Sequence, residues 1–136
     1  MKICKGLEAL SEVAQAVLEV SGDNAVIILQ GDLAAGKTTL VKSIAKILGI
    51  EEAVTSPTFS LQQCYDNHLY HYDIYNHGLD QFMSLGLFEE LEKSGLHLIE
   101  WGDEALAELS RDAGFKTIKV IISKEEDKRC YRIENA

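Results

Sequence analysis

The apolar residues of this chain change period along its length, and each change marks an element. From Leu7 to Val20 they recur at helical spacing (Leu7, Leu10, Val13, Ala14, Val17, Leu18), which predicts a helix with one face laid on a sheet. Ser21-Gly22-Asp23-Asn24 turns the chain into Ala25-Val26-Ile27-Ile28-Leu29, a continuous apolar run that reads as a buried strand. Thr39 to Leu48 returns to helical spacing through Leu40, Val41, Ile44, Ala45, Ile47 and Leu48, and Gly49 terminates it. Pro57 keeps Ser56 out of helical geometry, so Thr55-Ser56-Pro57-Thr58 is irregular. Phe59 to Tyr65 and His68 to Tyr75 flank Asp66-Asn67 as paired strands; in the second, Tyr70, Tyr72 and Ile74 share one face while His71, Asp73 and Tyr75 share the other. Asp80 caps a short helix through Leu85, and Leu87 to Lys93 forms another that ends near Gly95. Leu96 to Ile99 is a second buried strand, Ala105 to Leu109 is helical, Ile118, Val120 and Ile122 alternate as a later strand, and Tyr131 to Ile133 adds a short last one. Strands alternating with helices predict one three-layer α/β domain over residues 1–136, with a mostly parallel central sheet and a β-hairpin after the second helix.

Chemistry enters between the first buried strand and the second helix. Gly31-Asp32-Leu33-Ala34-Ala35-Gly36-Lys37-Thr38 fits the phosphate-loop pattern G-x-x-x-x-G-K-[ST], and it lies in the strand–turn–helix setting that such a loop needs. Backbone N–H groups wrap a phosphate, the helix dipole favours its charge, Lys37 reaches the outer phosphates and Thr38 places its hydroxyl on Mg²⁺. The expectation is a P-loop NTPase-like domain that binds a nucleoside triphosphate with magnesium. Such a site needs a second acid at the end of a neighbouring apolar strand, and Leu96-His97-Leu98-Ile99-Glu100 supplies one. Glu100 is therefore the expected metal partner of Thr38, the alternative being a plain surface carboxylate. Asp103 and Glu104 are weaker substitutes, a few residues past the strand.

His71 and Asp73 share a strand face, and Asp73 is the candidate for positioning the attacking water, with His71 orienting the carboxylate or a phosphate. A structural pair that satisfies a strand edge is the competing reading. Thr55 and Thr58 could sense the terminal phosphate or simply make a turn. Trp101 could stack on a base or anchor a partner, or half-bury in the core. His97, inside an apolar strand, reads as a hydrogen-bonded core residue.

Composition excludes several classes. A formal charge of −9, from 22 acidic against 13 basic residues, argues against autonomous nucleic-acid binding, which needs a basic face. No apolar run approaches the roughly 20 residues of a membrane span, so no membrane association is expected. Cys4, Cys64 and Cys130 are odd in number and far apart, and read as free thiols of a cytoplasmic protein.

Taken together, Gly31-Asp32-Leu33 through Thr39, Ser56-Pro57-Thr58-Phe59, His71-Tyr72-Asp73-Ile74-Tyr75 and Ile99-Glu100-Trp101 resemble the TsaE (YjeE) family in order and approximate spacing, across nearly the whole chain. The resemblance implies a small bacterial P-loop ATPase needed to form threonylcarbamoyladenosine (t6A) at position 37 of tRNAs reading codons that begin with A. Such a protein does not transfer the group itself; it binds a complex of the TsaD and TsaB proteins, whose turnover its weak or partner-activated ATP hydrolysis supports. The implied cofactors are ATP and Mg²⁺. Gly31 and Ala34, Ala35, Gly36, Lys37, Thr38 and Thr39 would hold the phosphates, Thr38 and Glu100 the metal, Asp73 the catalytic water, and the Leu7 to Ser11 neighbourhood the adenine. The isolated chain is expected to be a monomer.

Two positions depart from the family pattern. Ala34 replaces a usual glycine, at a cost on the order of 1 kcal/mol if that position needs φ > 0. Asn76 replaces the arginine that usually follows the H-x-D-x-Y tyrosine, which removes a charge from the site or the partner surface. Two other readings use the same loop: a small-molecule P-loop kinase, against which the scarcity of arginines for a lid argues, and a nucleotide-gated binding module with negligible hydrolysis. No N-K-x-D segment is present to read guanine.

Overall fold

The structure, a computed structural model, describes residues 2–5, 10–31, 36–51, 62–65, 68–75, 78–125 and 128–135. Its central strand is β2 (Ala25–Gln30), whose side chains are buried on both faces, as its unbroken apolar run requires. Parallel neighbours flank it: β5 (Leu96–Glu100) on one side and β6 (Thr117–Glu125) on the other. Beyond β5 lies β4 (Leu69–Asp73), also parallel, and antiparallel to it β3 (Gln62–Tyr65) completes the expected hairpin. Beyond β6 come β7 (Lys128–Asn135) and β1 (Lys2–Lys5), both paired antiparallel.

The sheet order is β1-β7-β6-β2-β5-β4-β3. Three neighbouring pairs run parallel and three antiparallel, which corrects the expected mostly parallel sheet to a mixed one. Alternating apolar residues specify which face is buried and say nothing about strand direction, so the antiparallel pairing of β6, β7 and β1 was invisible in the pattern, whereas the β3–β4 hairpin was expected.

Helices cover both faces of the sheet. On one face α1 (Leu10–Ser21) and α2 (Lys37–Ile47) bury Val13, Ala14, Val17, Leu40, Val41 and Ile44 against Ile27, Leu29, Leu98 and Val120. On the other, α3 (Gly78–Ser84), α4 (Leu87–Glu90) and α5 (Glu104–Asp112) pack Phe82, Leu87, Leu106 and Ala107 against Val26, Ile28, Tyr72 and Ile99. Each fully buried aliphatic side chain contributes roughly 1.5–3 kcal/mol against exposure. Helix α3 starts at Gly78, so Asp80 lies in its first turn instead of capping it.

A buried polar chain ties β3, β4 and β5 together. His97 Nε2 lies 2.8 Å from the Lys93 carbonyl, which can only accept, so Nε2 carries the proton. Nδ1 is then the acceptor for the Tyr72 hydroxyl at 2.7 Å, and that oxygen accepts in turn from Gln62 Nε2 at 3.2 Å. The Tyr70 ring stacks on the imidazole with centroids 4.4 Å apart. Burial lowers the His97 pKa and raises that of Tyr72, which keeps both neutral and the chain intact. His97 is thus the hydrogen-bonded core residue that its apolar strand predicts.

The cysteine expectation is overturned in part. Cys64 is an exposed thiol outside any disulfide, but Cys4 and Cys130 form one. They are separated by 126 residues, yet the β1–β7 register sets them directly opposite one another.

Candidate nucleotide-binding site

The carboxyl ends of β2, β5 and β4 and the N-terminus of α2 converge on one face of the sheet. Their registers place Glu100 beside Leu29 on one side and Asp73 on the other. Period-two alternation points Leu69, His71 and Asp73 toward the α2 layer, the face that Leu96, Leu98 and Glu100 also use. Ligands of open α/β sheets bind at this end.

Glu100 is the centre of the cluster. It is 3% exposed, and its carboxylate oxygens lie 2.8 and 3.0 Å from Thr38 Oγ1, the donor. His71 Nε2 approaches the same carboxylate at 2.5 Å, with the imidazole fully buried. A carboxylate without such donors would not tolerate this depth. Thr38 stands in the first turn of α2, so this bond joins the helix N-terminus to the end of β5. His71 Nδ1 has no hydrogen-bond partner among the described residues. The pairing differs from the expected one in one respect: His71 serves Glu100, whereas Asp73 Oδ1 accepts from the Tyr75 amide at 3.1 Å. Asp73 is half-buried at the rim.

Lys37 turns back on the segment that precedes it. Its Nζ donates to the Gly31 carbonyl at 2.7 Å and sits 3.9 Å from the centroid of the Trp101 ring. With 3% of its surface exposed, this cation is held in place by a carbonyl and an aromatic face. Trp101 follows Glu100 at φ 70°, a left-handed conformation that costs a bulky residue about 1–3 kcal/mol and recurs at functional sites. Its amide donates to the Leu29 carbonyl at 3.1 Å, and its half-buried ring packs on the exposed Tyr75. The indole thus half-buries against the core cluster of Ile28, Ile74 and Leu106, as one of the two expectations had it, and also lies over Lys37.

Of the remaining candidates, Gly31 and Gly36 are half-buried at the two ends of the loop and Thr39 is exposed on α2. Ala34 and Ala35 lie outside the described residues, as do Asn76, the segment carrying Thr55 and Thr58, and Leu7 through Ala9 of the expected adenine neighbourhood. Asp103 and Glu104 have other partners. Asp103 caps α5 by accepting from the Leu106 amide at 2.9 Å, and Lys119 pairs with Glu104 at 2.6 Å, holding its carboxyl below the usual range.

One residue here escaped the sequence reading. A Cβ built on Gly36, whose φ is +101°, would lie 2.9 Å from Arg129 Nη1. The guanidinium of β7 thus lies against the glycine that precedes Lys37, and adds positive charge where an anion would sit. Nothing in the local sequence around Arg129 signals this, because it depends on β7 running antiparallel to β6.

Comparison with known proteins gives the chain a family and a similar fold. The family described as threonylcarbamoyl adenosine biosynthesis protein TsaE matches residues 4–132. The chain is similar to the tRNA threonylcarbamoyladenosine biosynthesis protein TsaE of Treponema pallidum, at 44% identity over 64% of this chain and 67% of that one. It is also similar to the proteins of the same name from Bacillus subtilis, at 44% identity over 56% of this chain and 49% of that one, and Rickettsia felis, at 35% over 76% and 63%. The matches thus span about half to two-thirds of these relatives' own lengths. The crystal structure of Bacillus subtilis YdiB superposes with a TM-score of 0.69 at 26% identity, covering 99% of this chain and 84% of that one.

Proposed function

This chain belongs to the TsaE family, which serves tRNA threonylcarbamoyladenosine biosynthesis, and from that premise we propose that it is a magnesium-dependent P-loop ATPase. The observation that carries the reading is the buried Thr38–Glu100–His71 cluster beside Lys37. An acid this deep at a helix N-terminus, joined to a hydroxyl from the first helical turn, is the donor set a hard divalent cation takes. The oxygen donors of Thr38 and Glu100 fit Mg²⁺, which when bound would neutralise charge developing on the phosphates. Within this reading Lys37 leaves the Gly31 carbonyl for the outer phosphates, the α2 amides bind their oxygens, and Trp101 screens Lys37 from water. His71 holds the Glu100 carboxylate in orientation. Asp73, one strand away and open at the rim, accepts a hydrogen bond from the attacking water.

The protein acts as an accessory subunit of a TsaD–TsaB complex that forms t6A. Its acidic balance leaves the tRNA to that partner. None of the described helices is long and apolar enough to cross a membrane, and we place the activity in the cytoplasm, where tRNA is modified.

The test is a pair of variants assayed for ATP-analogue binding and phosphate release with TsaD and TsaB present. Lys37→Ala is expected to lose binding, and Asp73→Ala to bind normally but lose hydrolysis. Unchanged turnover in Asp73→Ala would remove its assigned role, and unchanged binding in Lys37→Ala would remove the nucleotide site.

A further inference from the structure

We propose that Cys4 and Cys130 form a reversible thiol–disulfide exchange site for small anionic thiols, and that its state sets how firmly Arg129 holds the Gly36 end of the loop. Three observations converge on it. First, the two cysteines face one another across β1 and β7 with Cα atoms 4.0 Å apart. Cys4 is exposed while Cys130 is 2% exposed, so an incoming thiolate attacks the Cys4 sulfur and Cys130 leaves.

Second, the site provides for the reduced state as well as the oxidised one. Glu125 Oε2 lies 2.5 Å from Cys130 Sγ and 3.9 Å from Cys4 Sγ. A disulfide has no proton to give such a carboxylate; a thiol does. Glu125 is therefore the acceptor toward which a reduced Cys130 directs its S–H. A cleft of about 210 Å³ opens on the same spot, lined by Lys2, Ile121, Ser123, Glu125, Cys130 and Arg132. Lys2 and Arg132 give it two cations against one carboxylate, which suits a small disulfide carrying carboxylates of its own, such as glutathione disulfide.

Third, the link lies one residue from the candidate site. Arg129 precedes Cys130 on β7, pairs in register with Lys5 on β1, and packs its guanidinium against Gly36. A covalent bond between β1 and β7 fixes the sheet edge from which that guanidinium reaches. Reduction leaves β1 held by its backbone ladder, the exposed Lys2–Glu125 ion pair and the packing of Ile3 on the core.

The exchange balances without a further reactant. The Cys4 thiolate attacks one sulfur of the small disulfide and expels a small thiolate. The Cys130 thiolate, its proton given up to solvent, then attacks the Cys4 sulfur and expels the second. Two protein thiols and one small disulfide give the protein disulfide and two small thiols, two electrons passing to the small disulfide.

The experiment uses the full chain with Cys64→Ser, which removes the exposed thiol outside the disulfide, in glutathione buffers of graded ratio. Maleimide labelling with mass analysis counts thiols, and amide hydrogen exchange follows the peptide carrying Gly36 to Leu40. The expected result is that two thiols appear together at one ratio, with exchange of that peptide faster by about tenfold in the reduced protein. Cys4→Ser/Cys130→Ser should show the faster rate in every buffer. Glu125→Gln, which removes the negative charge that disfavours the neighbouring thiolate, should speed reoxidation by about fivefold, and Lys2→Ser/Arg132→Ser should slow it by about threefold with glutathione disulfide but not with cationic cystamine. A pair that stays in one state at every ratio would overturn the proposal, as would equal exchange at Gly36 to Leu40 in both states. No nucleotide enters these readouts, so failure of the ATPase reading leaves them intact.

Discussion

Replacing Thr38 by alanine removes the single hydroxyl that joins α2 to the buried end of β5. Its Oγ1 lies 2.8 and 3.0 Å from the Glu100 oxygens, and the carboxylate is 3% exposed, so its loss leaves that charge with His71 alone. A hydrogen bond to a charged group is worth about 1.5–3 kcal/mol. Two effects offset part of this. Thr38 is half-buried, so water can re-enter beside the carboxylate, and alanine gains roughly half a kcal/mol in helix propensity. The expected net loss is about 1–2 kcal/mol in the nucleotide-free protein. For a chain of 136 residues that corresponds to a melting-temperature drop of roughly 4–7 °C. Thr38→Ser keeps the oxygen and should stay within about 0.5 kcal/mol of the parent. Urea unfolding followed by fluorescence of Trp101, the single tryptophan of the chain, measures the difference. The same fluorescence reports nucleotide binding, because the indole lies against Lys37. Magnesium should strengthen ATP-analogue binding in Thr38→Ser and have no effect in Thr38→Ala. If the alanine variant matched the parent in both stability and magnesium response, the Thr38–Glu100 bond would be incidental and the metal assignment would fall.

Two further outcomes test the scaffold around the site. A Cβ on Gly95 (φ +131°) would lie 2.5 Å from the His68 carbonyl oxygen and 3.0 Å from its carbon, backbone atoms that β4–β5 pairing prevents from moving, whereas Gly22 (φ +67°) has nothing within 4 Å. Gly95→Ala should therefore cost more than about 3 kcal/mol and Gly22→Ala only about 1 kcal/mol in urea titrations; equal costs would mean that conformation, and not the close approach, governs both. The depressed pKa of His97 comes first from burial, so the unfolded chain binds its proton more readily than the folded one. Stability should then be full above about pH 6.5, the unfolded value, and decline as pH falls below it. His97→Gln should flatten this slope, and an unchanged slope would place the acid sensitivity elsewhere.

What the chain reveals from its sequence alone depends on the distance over which each feature is specified. The Ala25–Leu29 run, the Gly31–Thr38 pattern and the spacing of Leu40, Val41 and Ile44 are contiguous, and they gave a strand, a loop and a helix within one or two residues of the observed β2 and α2. Glu100 was legible for the same reason, being the residue that ends the apolar run of β5. Its partner was not. His71 meets Glu100 only because β4 lies parallel to β5 in the register that sets His71 beside Leu98, and nearest-neighbour spacing instead suggested Asp73. The opposite half of the sheet hid itself more thoroughly. Lys2-Ile3-Cys4-Lys5 carries too little alternation to announce a strand, and the two residues between Glu125 and Lys128 include no glycine to announce a hairpin. Without β1 and the direction of β7, neither the Cys4–Cys130 link nor the approach of Arg129 to Gly36 could be seen. Local patterning thus identified Thr38 and Glu100 as the candidate ligands, while the neighbours of this cluster and of Gly36, His71 and Arg129, were set by strand register. Substitutions that shift register at β4 or β7 should accordingly damage the site while leaving its whole glycine–lysine–threonine pattern untouched.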